Sequence, residues 1–264
     1  MKSFRSLIAT ALFAVATSSE ATIIAYDGFS YSGELNGKNG GTGWGNNWTA
    51  NTTYTEIVNS ALQFSGNTPS VDYQVSRSLA SNFSGNQIFV DFYLQVDKGS
   101  LVNNDFLAFW FSNSSGPNFG IKADQGGTSS TNDVFGRLSS SLTPTYVANS
   151  NIGSPTTPIT THHIVSLLSK DVGSSTFNRL DVWLNPVFGD SANPDLSTTQ
   201  AVNNGLGSFN QIGFRSAFLD SGDEILIDNL RLSTTWNEAM NIPEPATLVL
   251  LGIGFAGIGL RYRK

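Results

Sequence analysis

Between residues 22 and 242 the chain holds four glutamates, Glu34, Glu56, Glu224 and Glu238, and two histidines, His162 and His163, and these few side chains bound its acid–base chemistry. Retaining glycoside hydrolysis needs two carboxylates about 5 Å apart on one side of the sugar. A Glu-x-Asp-x-x-Glu strand would supply them, and none of the four glutamates lies in such a pattern. The nearest acidic group, Asp220-Ser-Gly-Asp223-Glu224, falls on a turn that enters a strand. The histidines are adjacent, and adjacent residues on a strand point to opposite faces, so they cannot share a metal or serve one nucleophile. No Gly-x-Ser-x-Gly elbow is present. The chain has no cysteine, which removes thiolate metal sites, Cys nucleophiles and disulfides. The expectation is therefore a body without catalytic residues, not an enzyme; the competing reading is a secreted carbohydrate-active enzyme, a hydrolase or lyase, working through paired aspartates.

Two further groupings point to binding. The stretch "NGKNGGTGWGNNW" (36–48) lacks the Gly-Lys-Ser/Thr ending and the following helix of a phosphate loop. It carries Trp44 and Trp48 with Asn46 and Asn47 between them. Indole faces stack on pyranose rings and amides bond hydroxyls, so this loop is a candidate glycan grip; otherwise its tryptophans plug the end of the fold. In the run 225–232, alternation places Asp228 in a row with Leu226, Leu230 and Leu232. A carboxylate in an apolar row needs donors or a cation. Asp228 with Asp27, near the first strand, is the candidate pair for a structural Ca²⁺, against the alternative of an aspartate bonded to backbone amides.

The elements that must hold these residues read as strands. Charged residues make up 13% of the 264, with abundant Gly, Ser, Thr and Asn, while 39% apolar and 11% aromatic suffices for a core. Short β-rich runs divided by turn residues recur: 87–97, 105–112, 162–170, 179–186, 209–217 and 224–233. Residues 22–240 are thus predicted to form one all-β, antiparallel β-sandwich of the jelly-roll kind, with 139–161 as a surface excursion. This part carries nine basic and eighteen acidic side chains, and so an acidic body that repels phosphate backbones; no nucleic-acid partner is expected. The four Asn-x-Ser/Thr sequons, beginning at Asn47, Asn51, Asn82 and Asn113, are expected by chance in so polar a chain.

The two ends differ from the body. Lys2 and Arg5, the apolar run Leu7 to Ala16 and the small residues Ser19 and Ala21 read as a signal peptide over residues 1–21. At the other end, residues 241–264 hold Pro243-Glu244-Pro245, an uncharged run over 246–260, then Arg261, Arg263 and Lys264. As a helix that run covers roughly 22 Å against a hydrocarbon thickness of about 30 Å, a short span diluted by four glycines. The basic tip belongs on the cytoplasmic side.

The tripartite tail closely resembles the PEP-CTERM sorting signal of Gram-negative bacteria. The resemblance implies transient insertion in the inner membrane, recognition and removal of the tail by an exosortase-type membrane protease, and delivery to the outer envelope, cell surface or exopolysaccharide (biofilm) matrix. Three stretches of the body, 25–48, "RLDVWLNP" (179–186) and "IDNLRLSTTW" (227–236), together resemble concanavalin-A-like jelly rolls of the laminin-G-like kind. The function expected from both is that of an exported, non-catalytic envelope or matrix protein with exopolysaccharide as a candidate ligand.

Overall fold

Period-two alternation is what the core requires of a strand buried on one face, and Gln87–Lys98 shows it: Ile88, Val90, Phe92, Leu94 and Val96 are buried in the central cluster. A computed structural model describes residues 22–241 except 51–53, 68–71, 99–100, 102–103, 124–131, 148–149, 151, 153–160 and 201–204. The signal peptide, the Pro243-Glu244-Pro245 motif, the apolar run and the basic tip lie outside the described residues, as does much of the expected surface excursion.

Two antiparallel sheets pack face to face. The first has nine strands: in spatial order Leu196–Thr199 (β14), Arg179–Leu184 (β13), Thr161–Ser169 (β12), Gln87–Lys98 (β7), Glu224–Ser233 (β16), Ala61–Ser65 (β5), Thr55–Val58 (β4) and Gly33–Glu34 (β2), with Ile23–Asp27 (β1) also paired to β16. The second has seven: Thr145–Val147 (β11), Asn132–Arg137 (β10), Asn118–Ala123 (β9), Phe106–Phe111 (β8), Phe209–Ala217 (β15), Asp72–Phe83 (β6) and Thr49–Ala50 (β3). This is the all-β jelly-roll sandwich expected, and all six predicted strands are present within two residues at either end.

Between the sheets Phe92 of the first meets Phe109, Phe119 and Phe214 of the second, with ring centroids 6.3, 5.7 and 5.5 Å away. Such edge and offset contacts add to the burial that holds the layers together. A short helix, Trp236–Ala239 (α1), follows β16 directly and packs on the outer face of the nine-stranded sheet. Thr235 opens it, its Oγ1 accepting from the Glu238 N–H at 3.3 Å.

The alternation expected along 225–232 fails at one place. The register of β16 against β7 shifts between Asp228 and Arg231, and Asn229 has a φ of 54°. This β-bulge reverses the parity. Ile225 and Ile227 are buried before it and Leu230 and Leu232 after it, so Asp228 does not share the row of Leu230 and Leu232.

Candidate functional site

The glycine-rich loop is closed against the body. Gly41 and Gly43 have φ near +75° and +81°, and a Cβ on either would sit 2.0 Å from a carbonyl oxygen of β1. Only glycine lets the loop lie so flat. Trp48 is 1% exposed and its Nε1 donates to Asp27 Oδ2 at 2.8 Å. Trp44 packs half-buried on the core, donates to the Tyr26 carbonyl and lies under the Arg77 guanidinium at 4.9 Å. Asn46, though exposed, accepts from Ser78 N and, through its carbonyl, from Arg77 Nε; Asn47 is exposed and takes no part in this network among the described residues. Trp48 and Asn46 therefore hold the end of the sandwich shut, and the Trp44 ring is pinned against Arg77 and Trp48. The expected glycan grip is corrected to a structural plug.

The same plug disposes of the expected Asp27–Asp228 cation pair. Asp27 Oδ2 accepts from Trp48 Nε1, the Tyr31 hydroxyl and an Arg77 guanidinium N–H, and Oδ1 accepts from Phe29 N, all within 2.9 Å. Four donors fill the acceptor capacity of a carboxylate, and Arg77 already balances its charge. Burial foremost, then the charge of Asp27, pushes the Tyr31 phenol well above its ordinary range, so it remains a donor. Asp228 accepts from Asn229 N at 2.6 Å and from Asn229 Nδ2 at 2.8 Å. It is an aspartate bonded to its neighbour's amides. Among the described residues one group of three acids brings its oxygens within 4.8 Å of one another, Asp105, Asp220 and Asp223, and oxygen ligands of this kind suit Ca²⁺.

The bulge does place Asp228 in a groove. A cavity of about 360 Å³ opens on the outer face of the nine-stranded sheet, lined by Tyr93, Gln95, Thr161, Leu226, Asp228 and Asn229, with the β4–β5 turn closing one side. That turn is a two-residue hairpin through Asn59 and Ser60, both left-handed at φ 51° and 63°, as tight hairpins require. Tyr93 is 40% exposed and its ring stacks on His163 with centroids 4.7 Å apart. The polar groups are fixed to one another: Thr161 Oγ1 donates to Gln95 Oε1, and the Tyr26 hydroxyl donates to Asn229 Oδ1. Burial lifts the Asp228 carboxyl above its ordinary value, opposed by the Asn229 amide.

Tyr93, Gln95 and Thr161 escaped the sequence reading. The alternation of β7 contains the signal, since Ile88, Val90, Phe92 and Leu94 going inward sends Phe89, Asp91, Tyr93 and Gln95 outward. His162 and His163 sit at successive positions of β12 with separate partners, as expected. His162 Nδ1 lies 3.1 Å from Asn185 Nδ2, and His163 Nε2 lies 3.4 Å from Asp91 Oδ1. Asp91 is buried, and its Oδ2 has no hydrogen-bond partner among the described residues. Burial foremost raises its carboxyl to about 6, against the opposing pull of His163 and Arg231. Beside it Phe89, Val165 and Trp183 form an outer apolar cluster capped by Trp236, Ala239 and Met240.

Comparison with known proteins bears on the ends and the fold separately. Residues 241–264 match the PEP-CTERM protein-sorting motif. The chain thus carries this export signal, which takes it through the inner membrane to the cell surface or to release after processing by exosortase. No curated protein matches the sequence. Among solved structures, one described as "Prominent members of the human gut microbiota express endo-acting O-glycanases to initiate mucin breakdown" aligns with 80% of this chain and 98% of its own, at 11% identity and a TM-score of 0.51. A family 16 glycosyl hydrolase from Mycobacterium smegmatis covers 80% and 100% at 13% identity and 0.48, and the Emp47p carbohydrate recognition domain 81% and 97% at 12% and 0.49. These likenesses concern the fold. The first of them also corrects the expectation of a non-enzymatic body with no catalytic residues: a structure whose description names O-glycanases shares the architecture, so the fold gives no ground for excluding catalysis.

Proposed function

We propose that this exported protein holds a polysaccharide of the cell surface or surrounding matrix in the groove beside Tyr93. The observation that carries the reading is an exposed tyrosine ring, backed by His163, beside hydrogen-bonding groups already fixed in place by their neighbours. A pyranose offers one apolar face and a ring of hydroxyls. Tyr93 takes the face, and Gln95, Thr161, Asn229 and the Asp228 carboxylate take hydroxyls. The groove's volume of about 360 Å³ suits one or two sugar units of a longer chain. Because Asp228 and Asn229 are locked by the bulge, little side-chain freedom is lost on binding.

The test is binding to a panel of immobilised neutral and acidic glycans, followed by Tyr93→Ala and Asp228→Asn. Each substitution is expected to weaken the bound glycan at least tenfold with the melting temperature held within a few degrees. Unchanged affinity in both variants would remove the groove from the function.

A further inference from the structure

The outer face of the seven-stranded sheet carries a different arrangement, independent of the groove. Register places three rows across it. Asp72, Ala217, Phe106, Lys122 and Asp133 form one; Gln74, Arg215, Ala108, Gly120 and Phe135 the next; Ser76, Gly213, Trp110, Asn118 and Arg137 the third. The floor is thus made of small residues, while the cations stand around it. The Arg215 guanidinium lies 5.2 Å over the Phe106 ring on β8, and that of Arg137 lies 5.9 Å over Phe135 on β10. Lys122 rises from β9 between those two strands.

Three of the nine basic side chains of an acidic body have been gathered on one surface. Arg215 is paired with Asp72 through contacts of 2.8 to 3.0 Å. Arg137 bonds only neutral oxygens, those of Asn118 and Ser140, and neither it nor Lys122 has an ion pair among the described residues. Burial first and the charge of Arg137 second lower the Lys122 ammonium; burial first and Arg215 second lower Arg137. The three charges therefore feel one another, although Asp72 and Asp133 stand at the two ends of the row that holds Lys122.

Two more features point to a ligand on this face. Trp110 is 4% exposed, its Cε2 lies against Gly213, and its Nε1 has no acceptor among the described residues. A buried donor without an acceptor is uncommon in folded proteins. Phe218 is 43% exposed, with its ring 6.4 Å from Phe106 and a φ of 67°, a conformation rarely held by a bulky residue.

We propose that this trough binds an anionic polysaccharide, with Lys122, Arg137 and Arg215 on its acidic groups, Phe218 against a sugar face and Trp110 Nε1 donating to a ligand oxygen. Carboxylate and sulfate ester offer the same charge, and a guanidinium fork engages either. Polyphosphate offers charge without a sugar face.

Full-length chain in detergent is tested by calorimetry against polygalacturonate, dextran sulfate, neutral dextran and polyphosphate, at low salt and at 0.5 M salt. Binding to one or both anionic glycans, lost at least tenfold at high salt, is expected, and their relative affinity distinguishes carboxylate from sulfate. Lys122→Gln breaks no side-chain hydrogen bond among the described residues and is expected to weaken that binding at least fivefold. Arg137→Lys, which keeps the charge, is expected to weaken it less than Arg137→Gln. Equal binding of neutral dextran, equal binding of polyphosphate, or no effect of Lys122→Gln would each overturn the proposal. Lys122 lies on the other sheet from Tyr93, so the loss on Lys122→Gln separates the trough from the groove.

Discussion

Arg77 points inward from the middle of β6, where the alternation Tyr73, Val75, Leu79 calls for an apolar side chain. It is 1% exposed and satisfied by Asp27, Asn39, and the carbonyls of Gly40 and Asn46. Truncating one member of a buried pair strands the other, so Arg77→Met and Asp27→Ala are each expected to cost roughly 3–5 kcal/mol in chemical denaturation. Trp48→Ala falls in a similar range, about 3–5 kcal/mol, as for other buried aromatics. The chain's own letters suggested that Trp44 and Trp48 either grip a sugar or plug the fold; what decides is the Arg77 partner, thirty residues away on a strand that its polar residues had hidden. "DYQVSRSLASNF" is absent from the predicted strand runs, and an arginine at a core position interrupts its apolar alternation. Pairing across that distance is a property of register, which one-dimensional patterns do not carry.

At the level of elements, α1 is the cover of the outer apolar cluster. Trp236 meets Trp183 edge-on at 5.0 Å and Phe89 at 6.1 Å. Trp236→Ala is expected to cost roughly 2–3 kcal/mol, less than a full core truncation because the ring is half-buried. Beside this cover lies Asp91 on β7. Its folded-state value of about 6 stands above the ordinary 3.8, so the native state holds the proton more tightly than the unfolded chain. The cost of ionisation is therefore fully present above about pH 6 and is relieved as pH falls toward 4, where this group makes the fold more stable. Comparing melting temperatures at pH 4.5 and 7, Asp91→Asn is expected to gain relative to the wild type at pH 7 and to lose that advantage at pH 4.5. Strand identities were legible from periodicity, as in β7, β12 and β15. The bulge in β16 was not, because one left-handed asparagine shifts parity without changing composition, and the groove depends on it.

For the whole molecule, the sorting motif begins at residue 241, immediately after the last turn of α1 packs Met240 on the sheet. Mass spectrometry of protein from the native envelope is expected to find the C-terminal "GLRYRK" peptide missing from most molecules, and replacing Pro243-Glu244-Pro245 with alanines is expected to retain it. Strand runs and the two terminal segments pointed to an exported sandwich; they said nothing of which outward faces are lined for binding, since these are fixed by rows of residues drawn from distant strands. The pairing of β1 with β16 has a consequence in time. Thr22 N donates to Thr234 Oγ1 across 212 positions, and β16 lies between β7 and β5 in the middle of its sheet. A chain exported from its N-terminus delivers this central strand last. Until it arrives, β7 and β5 face each other across a gap with open edges, and closing the longest loop is the slowest step. The sorting motif follows this strand within eight residues, so a chain cut short before residue 224 lacks both its address and the strand that closes the sheet.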